Sequence, residues 1–447
     1  MSLRYITKRC VLLLLSLLLL GCNNSQKGEG PIVIRYWEKW NGFEADAMRV
    51  IVDDFNASQD EIFVEYSSVS QIDRRLMLSI AGGIPPDVAG LWNYVLPVYA
   101  ENNALTPLNR YTEAAGIKRD DYISVYWDMC THRDYVWALP STPSSTALIY
   151  NKKLFREAGL DPEQPPRSIA ELEAYNEKLM KRDEDGRLIT CGHIPAEPGW
   201  WNALWGYWFG GELWDGKQSI TITSPANTAA YEWVASYPER FGARDLMSFK
   251  DGFGNFASPQ NPFFTGRVAM VMQGPWIYNF IQNYAPADFE WGVAPFPSVD
   301  PERFPNVTVV EADILVIPAG AKHPEEAFVF IQYVNSQAPM EKLCLGQRKF
   351  SPLRETSADF FTQHPNPYIR EFHDLAQSPN ARPVPSTTVW TLYANEMNQA
   401  FGRIWTQTSS PTEALSDVQT RMQESFDHRA RRWDRMENTL LTEWEKP

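Results

Sequence analysis

The sequence predicts an α/β protein in which a first α/β lobe is followed by a more helical lobe. Three observations indicate this. Strand-like and helix-like segments alternate early in the chain, capped amphipathic helices dominate its middle, and a strand pair returns late. The 447 residues suffice for two or three domains, and the 44% share of apolar residues excludes global disorder.

The first lobe begins with a strand, a helix and a second strand. Residues 32–37 predict the first strand, apolar side chains at helical spacing predict a helix over 44–56, and residues 62–69 alternate as a strand does. In a βαβ unit the two strands are parallel and the crossover is right-handed. We therefore expect a parallel sheet, and each lobe is expected to contain a mostly parallel sheet flanked by helices.

The pattern continues along the chain. Helix starts are predicted where Ser168, Ser224 and Ser410 precede a capping glutamate or a proline. The remaining expected elements are helices over 71–81, 93–102 and 324–335, strands over 87–91, 135–139, 146–150, 267–272 and 314–317, a loop over 140–145, and a long terminal helix.

The N-terminus has the character of a secretory signal. Lys8 and Arg9 precede the apolar run 11–20, which is too short to span a bilayer as a helix and ends in Gly21-Cys22. This ending resembles a bacterial lipobox, which implies cleavage before Cys22, lipidation of that thiol and a site of action outside the cytoplasmic membrane. The alternatives are an ordinary signal peptide cleaved elsewhere and an uncleaved anchor. Residues 23–30 are small and polar and predict a tether.

Charge and cysteine content exclude several classes of function. The net charge is −14, and removal of a signal that carries three positive charges leaves −17, which argues against nucleic acid and against adsorption to anionic lipid. Cys130, Cys191 and Cys344 remain after the signal, so at least one is free and no disulfide scaffold is expected. Cys130 and Cys191 are each followed two residues later by a histidine, His132 and His193. Zinc ligands are usually spaced more widely, so no metal is expected.

Six segments in order then resemble one family. They are PDV at 86–88, YAENNALTPL at 99–108, VWALP at 136–140, LIYNKKLFREAGL at 148–160, FTGRVAMVMQGPW at 264–276 and IPAGAKHPEEA at 317–327. From about residue 32 to 430 the chain resembles the extracellular solute-binding proteins of ABC importers, in the branch that mostly carries sugars. Two features depart from the pattern, namely His323 and an Arg- and Trp-rich region after 427 that suggests only a packed or docking tail.

The resemblance implies a two-lobed clamp that closes on its ligand by a hinge motion. We expect one lobe to comprise 31–143 and 290–345, and the other to comprise 144–289 and 346–447. The implied protein is a lipid-anchored monomer of the cell envelope. It would capture a mono- or oligosaccharide without altering it, use no cofactor, and deliver the sugar to a membrane permease.

Candidate ligand contacts lie where predicted strands end, since open α/β sheets bind ligands at the carboxyl ends of their strands. Aromatic rings can cover the flat faces of a sugar, and polar side chains can pair with its hydroxyl groups. For Gly274 and Trp276 the resemblance implies a turn whose tryptophan stacks on sugar. The expected contacts are Trp37, Glu38, Trp40, Asn41, Trp92, Asn93, Ser141, Trp201, Gly274, Trp276, Glu311 and Arg348.

Three alternatives are also compatible with the sequence. A glycoside hydrolase would need two carboxylates about 5–10 Å apart, for which Glu38 and Glu311 are candidates, although GxSxG, HExxH and P-loop motifs are absent from the sequence. A binding protein of the same fold could report to a sensor instead of a permease. A polyol or glycerophosphodiester could replace the sugar, although the net charge disfavours phosphate.

Overall fold

The order of strands and helices follows the predicted alternation closely. A computed structural model describes residues 30–445, so the predicted signal with Cys22, and the tether apart from Gly30, lie outside the described residues. The strands are β1 Ile32–Glu38, β2 Ile62–Ser68, β3 Val88–Trp92, β4 Thr131–His132, β5 Tyr135–Val136, β6 Ala138–Ser145, β7 Ala147–Asn151, β8 Lys181–Arg182, β9 Leu188–Thr190, β10 Met270–Gln273, β11 Trp291–Ala294, β12 Thr308–Val316 and β13 Ala381–Pro383.

Helices flank both main sheets and dominate the second half of the chain. They are α1 Gly42–Ser58, α2 Ile72–Ala81, α3 Leu96–Glu101, α4 Asn109–Ala115, α5 Ser124–Asp128, α6 Lys152–Glu157, α7 Ile169–Leu179, α8 Pro225–Phe241, α9 Ala243–Asp251, α10 Ile277–Tyr284, α11 Pro324–Val334, α12 Gln337–Gln347, α13 Phe360–Gln363, α14 Ile369–Ala376, α15 Trp390–Trp405 and α16 Pro411–Trp444, with 3₁₀ turns at Asn93–Val95, Arg119–Asp121 and Trp205–Phe209. The α/β class is confirmed.

The first sheet contains the predicted βαβ unit. Its strands lie in the order β13-β12-β3-β1-β2, and β6 pairs with β12 on the side opposite β3. β1 is parallel to both β2 and β3, as expected, whereas the returning strand β12 runs antiparallel to β3 and β6. The carboxyl ends of β1 and β3 therefore meet at one edge of the sheet, which is where candidate residues cluster.

The predicted loop over 140–145 is wrong, because these residues form most of strand β6. Pro140 and Pro143 suggested a loop. Among the strands of residues 30–445, however, β6 pairs only with β12, and such an edge strand tolerates proline because an N–H group that faces away from the sheet is not needed for pairing. The pairing is irregular between Ala312 and Ile314, next to Pro143. The edge position thus accommodates a composition that is atypical of strands.

The second sheet is antiparallel, so the expectation of a mostly parallel sheet in each lobe is wrong here. β7 lies between β10 and β11 and runs opposite to both. β10, α10 and β11 still form a crossover between strands of equal direction, but β7 separates those strands. Local apolar patterning predicts that a strand forms, whereas its direction depends on which distant strand pairs with it.

The serine caps that predicted helix starts are present. Ser168 Oγ accepts from the Glu171 N–H at 3.1 Å, and Ser224 caps α8 before Pro225. At α16 the capping box is complete, since the Ser410 N–H also donates to Glu413 Oε2 at 3.1 Å. Each cap satisfies amide groups that have no partner within the helix, which fixes where the helix begins.

The two lobes are joined where β6 leads into β7 and where the chain returns to β12. At this junction Thr308 Oγ1 donates to the Thr146 carbonyl oxygen at 2.8 Å, and the Val309 N–H donates to Thr146 Oγ1 at 3.0 Å. These buried threonines tie the two crossing segments together. Within residues 30–445 no helix has the length and apolar character needed to cross a bilayer.

Candidate functional site

A cleft of about 590 Å³ lies at the edge of the first sheet where β1 and β3 end. One wall comes from the first lobe and the other from the loops and helix α10 of the second lobe. The side chains that line this cleft are those of Lys39, Trp40, Asn41, Phe43, Glu44, Trp92, Ser144, Trp200, Phe256, Trp276, Phe280, Tyr284, Glu311, Asp313 and Lys349.

The first-lobe wall is an ionic network centred on Asp313. Its two carboxylate oxygens contact the ammonium groups of Lys39 at 2.9 Å and Lys349 at 3.0 Å. Lys39 also pairs with Glu38 at 3.1 Å, and Lys349 pairs with Glu44 at 3.0 Å. Both lysines are almost fully buried, so their charges depend on these partners.

The network sets the charge state of its members. Burial alone would raise the pKa of Asp313, but the ammonium groups of Lys349 and Lys39 lower it to about 2. For Lys39, burial opposes the charged form, but Asp313 and Glu38 outweigh it and raise the pKa. At neutral pH Asp313 is therefore a carboxylate and Lys39 an ammonium group, and each of the two lysines pairs with two acidic side chains.

Glu38 supports this network from behind. Its carboxylate is fully buried and accepts hydrogen bonds from the Tyr36 hydroxyl at 2.5 Å and the Lys39 N–H at 2.7 Å. Gly90 on the neighbouring strand makes this possible, because a Cβ there would overlap the Glu38 carboxylate. Glu38 thus positions Lys39 and does not itself line the cleft.

Glu311 differs from Asp313, which lies two residues further along the same strand. It lines the cleft and is half-buried. Burial raises the pKa of Glu311 to about 7, Asp313 adds to the rise, and Lys349 opposes it. A carboxyl group of this kind can donate or accept a hydrogen bond near neutral pH.

The second-lobe wall is aromatic. Phe256 lies between Trp200 and Phe280, with edge-to-face ring pairs at 4.7 Å on either side. Trp276, Phe280 and Tyr284 follow at intervals of four residues, which places them on one side of the α10 segment. Phe43 of the first lobe meets Phe280 at 5.9 Å, so rings from both lobes touch at this end.

A tight turn presents Trp276. The chain leaves β10 at Gln273, whose Oε1 accepts from the Trp276 indole N–H at 2.9 Å. The ring folds back over Gly274, where any Cβ would overlap it. Gly274 is therefore needed for the orientation of Trp276, and the ring remains half-buried with one part toward the cleft.

Two further indoles lie beside the lysines on the first-lobe side. The Lys39 ammonium is 4.8 Å from the Trp40 ring centre and 5.4 Å from that of Trp92. Lys349 approaches the Trp40 ring at 5.5 Å. These cation–π contacts hold the rings beside the charges, and Trp92 keeps 37% of its surface exposed.

Five of the twelve predicted contact residues line the cleft. They are Trp40, Asn41, Trp92, Trp276 and Glu311. Trp40, Asn41 and Trp92 lie at the carboxyl ends of β1 and β3, as the sequence predicted. Trp276 follows β10 of the second sheet, and Glu311 lies within the antiparallel strand β12. Whether they touch a ligand stays a prediction.

The other seven do not line the cleft. Glu38 and Gly274 lie directly behind lining residues, as described above, and Trp37 packs half-buried against the core. Asn93 is buried and accepts from the Ala312 N–H at 3.2 Å, and Ser141 is buried in β6. The remaining two, Trp201 and Arg348, are held by backbone, since Trp201 Nε1 donates to Met272 O at 3.0 Å and Arg348 Nη1 donates to Leu345 O at 2.7 Å.

Sequence reasoning missed most of the ionic and aromatic lining. Lys39 and Lys349 adjoin the predicted residues Glu38 and Arg348, but a surface lysine and a buried one look alike in sequence. Phe256, Phe280 and Tyr284 lack a motif of their own. The four-residue spacing from Trp276 was the one available signal for Phe280 and Tyr284.

Two further points concern carboxylates of the first lobe. Asp87 acts as a turn and cap residue, since it accepts from the N–H groups of Arg35, Lys322 and His323. The carboxylate pair considered for a hydrolase is not presented together, because Glu38 is buried behind Lys39 while Glu311 lines the cleft.

Comparison with known proteins agrees with this architecture. Residues 43–341 match the sequence profile described as bacterial extracellular solute-binding protein. A maltotriose-binding protein of Pyrococcus abyssi is 21% identical over 322 residues, which cover 70% of this chain and 64% of that protein. The sn-glycerol-3-phosphate-binding periplasmic protein UgpB of Pectobacterium atrosepticum is 22% identical and covers 86% of this chain and 89% of its own length.

Solved structures show the same fold. CpMnBP1 with mannobiose bound aligns with a TM-score of 0.76 and 25% identity, covering 87% of this chain and 99% of that chain. UgpB from Mycobacterium tuberculosis in complex with glycerophosphocholine aligns with a TM-score of 0.72 and 22% identity, covering 90% and 100%. The profile match spans more than half of the sequence, and the chain belongs to the family of bacterial extracellular solute-binding proteins.

Proposed function

We propose that this protein binds a neutral mono- or oligosaccharide with high affinity outside the cytoplasmic membrane and delivers it, unaltered, to an ABC permease. The observation that carries this proposal is the pairing of an aromatic wall with a charge-compensated wall across one cleft. Aromatic rings cover the apolar faces of a sugar, and the carboxylates of the opposite wall accept hydrogen bonds from its hydroxyl groups. Relatives named for maltotriose and mannobiose support it.

A glycerophosphodiester is the second candidate, because UgpB proteins are among the relatives. A phosphate group would need cations that are free to pair with it. Lys39 and Lys349 line the cleft, but both are held by carboxylates, and Glu311 adds a further acidic group nearby. A phosphate group placed beside these carboxylates would be repelled by them, so the cleft favours a neutral ligand.

The direct test is a thermal-shift and calorimetric comparison of mannobiose, maltotriose, glycerol 3-phosphate and glycerophosphocholine, followed by chromatography of each ligand after incubation. We expect a sugar to raise the melting temperature and to be recovered unchanged. Stabilisation by the phosphate compounds alone would replace the sugar by a phosphodiester. Conversion of the sugar to a product would contradict the assignment as a pure binding protein.

We further propose that the protein is a monomer anchored through lipid on Cys22, and that its two lobes move as two bodies about the Thr146–Thr308 junction. Mass spectrometry of membrane-extracted protein tests the anchor. A diacylglyceryl mass on the peptide that begins at Cys22 is expected, and Cys22→Ser should abolish it. A free N-terminus at another residue would contradict the anchor.

A further inference from the structure

The terminal helix α16 is anchored on the second lobe through its first half. Leu415, Val418 and Met422 are buried against α15 and α8. Further along, Gln423 Oε1 accepts from the Ile220 N–H at 2.9 Å, and its Nε2 donates to the Gln218 carbonyl oxygen at 2.8 Å. This half is integrated into the core of the second lobe.

The last turns of α16 pack on the first lobe instead. The Trp444 indole N–H donates to Asn103 Oδ1 at 3.1 Å, and its ring meets that of Trp137 edge-to-face at 4.6 Å. The guanidinium of Arg133 lies 4.1 Å from the centre of the Trp433 ring. Asn103 follows α3, and Arg133 and Trp137 belong to the β4–β5 hairpin and the segment before β6, so all three lie in the first lobe.

We call residues 432–444 the strap, because they connect the lobes at a place that does not line the cleft. Arg432 adds a hydrogen bond from Nη2 to Asn102 Oδ1 at 2.9 Å. Trp433 and Trp444 are only 6% and 5% exposed, so the contact buries two large rings. Apolar burial of this extent stabilises the contact well beyond thermal energy.

The geometry of a helix makes this contact mechanically significant. An α-helix rises about 1.5 Å per residue and does not stretch, so Met422 and Trp444 are held about 33 Å apart. Rotation of the lobes about the Thr146–Thr308 junction would change the distance between the two anchored surfaces. The lobes can therefore rotate far only if one end of the helix is released or the helix bends.

We propose that the strap is a latch that holds the two lobes in one relative orientation and opposes their rotation. The first-lobe end is the one that releases, because the other end packs along both α15 and α8, whereas the strap contacts the first lobe mainly through the rings of Trp433 and Trp444. This role does not depend on which solute the cleft binds. It gives a function to the Arg- and Trp-rich region that departs from the family pattern.

Inter-lobe distances measured by pulsed electron spin resonance test the latch. Labels are placed at Leu78→Cys in α2 of the first lobe and Met247→Cys in α9 of the second, both exposed. Cys10 and Cys22 are replaced by serine in the full-length chain, which is studied in detergent without added ligand. Cys130, Cys191 and Cys344 are buried and remain unlabelled, since burial raises the pKa of each thiol.

We expect one narrow distance distribution in the parent chain and its loss in the double variant Trp433→Ala/Trp444→Ala. The matched control is Arg431→Ala on the exposed side of the same helix, which should keep the narrow distribution. If circular dichroism shows that the double variant is unfolded, two other variants provide the same test. One is deletion of residues 432–447, and the other is Asn102→Ala/Asn103→Ala, which removes the hydrogen-bond acceptors of the strap on the first lobe. Distributions that superimpose on those of the parent would overturn the latch.

Discussion

The two walls of the cleft solve different problems with different chemistry. The first-lobe wall is a closed ionic network in which Asp313 bridges Lys39 and Lys349, and every charge has a partner. The second-lobe wall is a row of rings around Trp276 whose contacts are mainly to one another. The first wall cannot lose a member without leaving a buried charge, whereas the second can lose a ring and remain folded. Substitutions in the ionic wall should therefore reduce mainly the stability of the protein, and substitutions in the aromatic wall should reduce mainly its affinity for ligand.

The largest expected effect is on stability, from Asp313→Ala. Removing this carboxylate leaves two buried ammonium groups short of a partner, and breaking a buried pair in this way costs about 3–5 kcal/mol. Urea unfolding should show this loss. The control is Asp54→Ala, which breaks an exposed pair with Lys342 and should cost less than about 1 kcal/mol. Equal effects of the two variants would show that the buried ionic network contributes no more to stability than an exposed ion pair.

Trp276→Ala should reduce affinity with little loss of stability. The half-buried ring supplies apolar contact worth about 1.5–3 kcal/mol, which weakens binding about ten- to a hundredfold. Calorimetry with the sugar that best stabilises the parent protein measures this loss. Trp214→Ala removes another half-buried indole outside the cleft and should leave the dissociation constant unchanged. An unaltered affinity in Trp276→Ala would remove the aromatic wall from ligand binding.

Two glycines sharpen the same contrast. Gly90→Ala would drive a methyl group into the Glu38 carboxylate, and such overpacking costs about 1–3 kcal/mol of stability. Gly274→Ala would displace the Trp276 ring and should chiefly weaken ligand binding. Chemical unfolding and calorimetry on both variants separate the outcomes. Gly402→Ala in α15 is the control, because a Cβ there meets nothing within 4 Å, and it should be neutral or stabilising.

The smallest expected effect is a pH dependence from Glu311. Its pKa is raised to about 7 in the folded protein, so the folded state favours the protonated form. The resulting stabilisation is complete below the ordinary glutamate pKa and is lost as the pH rises through about 7. Melting temperatures from pH 5 to 8 should fall more steeply in the parent than in Glu311→Gln. Asp313, whose pKa is lowered to about 2, contributes no slope in this range.

The sequence by itself determined the order of most strands and helices, the serine caps and the carboxyl-end position of Trp40, Asn41 and Trp92. These depend on apolar periodicity and on local hydrogen bonds between residues a few positions apart. Its motifs also indicated the family. Only the resemblance, and not spacing, pointed to Trp276.

The tertiary structure alone decided the direction of the second sheet, the strand character of β6, the partners of Lys39 and Lys349, and the contact of Trp444 with Trp137. Each joins residues that are far apart in the chain, and no local pattern records such a pairing. A lysine has the same propensity whether it is solvated or held by Asp313. Burial and charge compensation arise only when distant segments meet, and for that reason the ionic wall could not be read from the sequence.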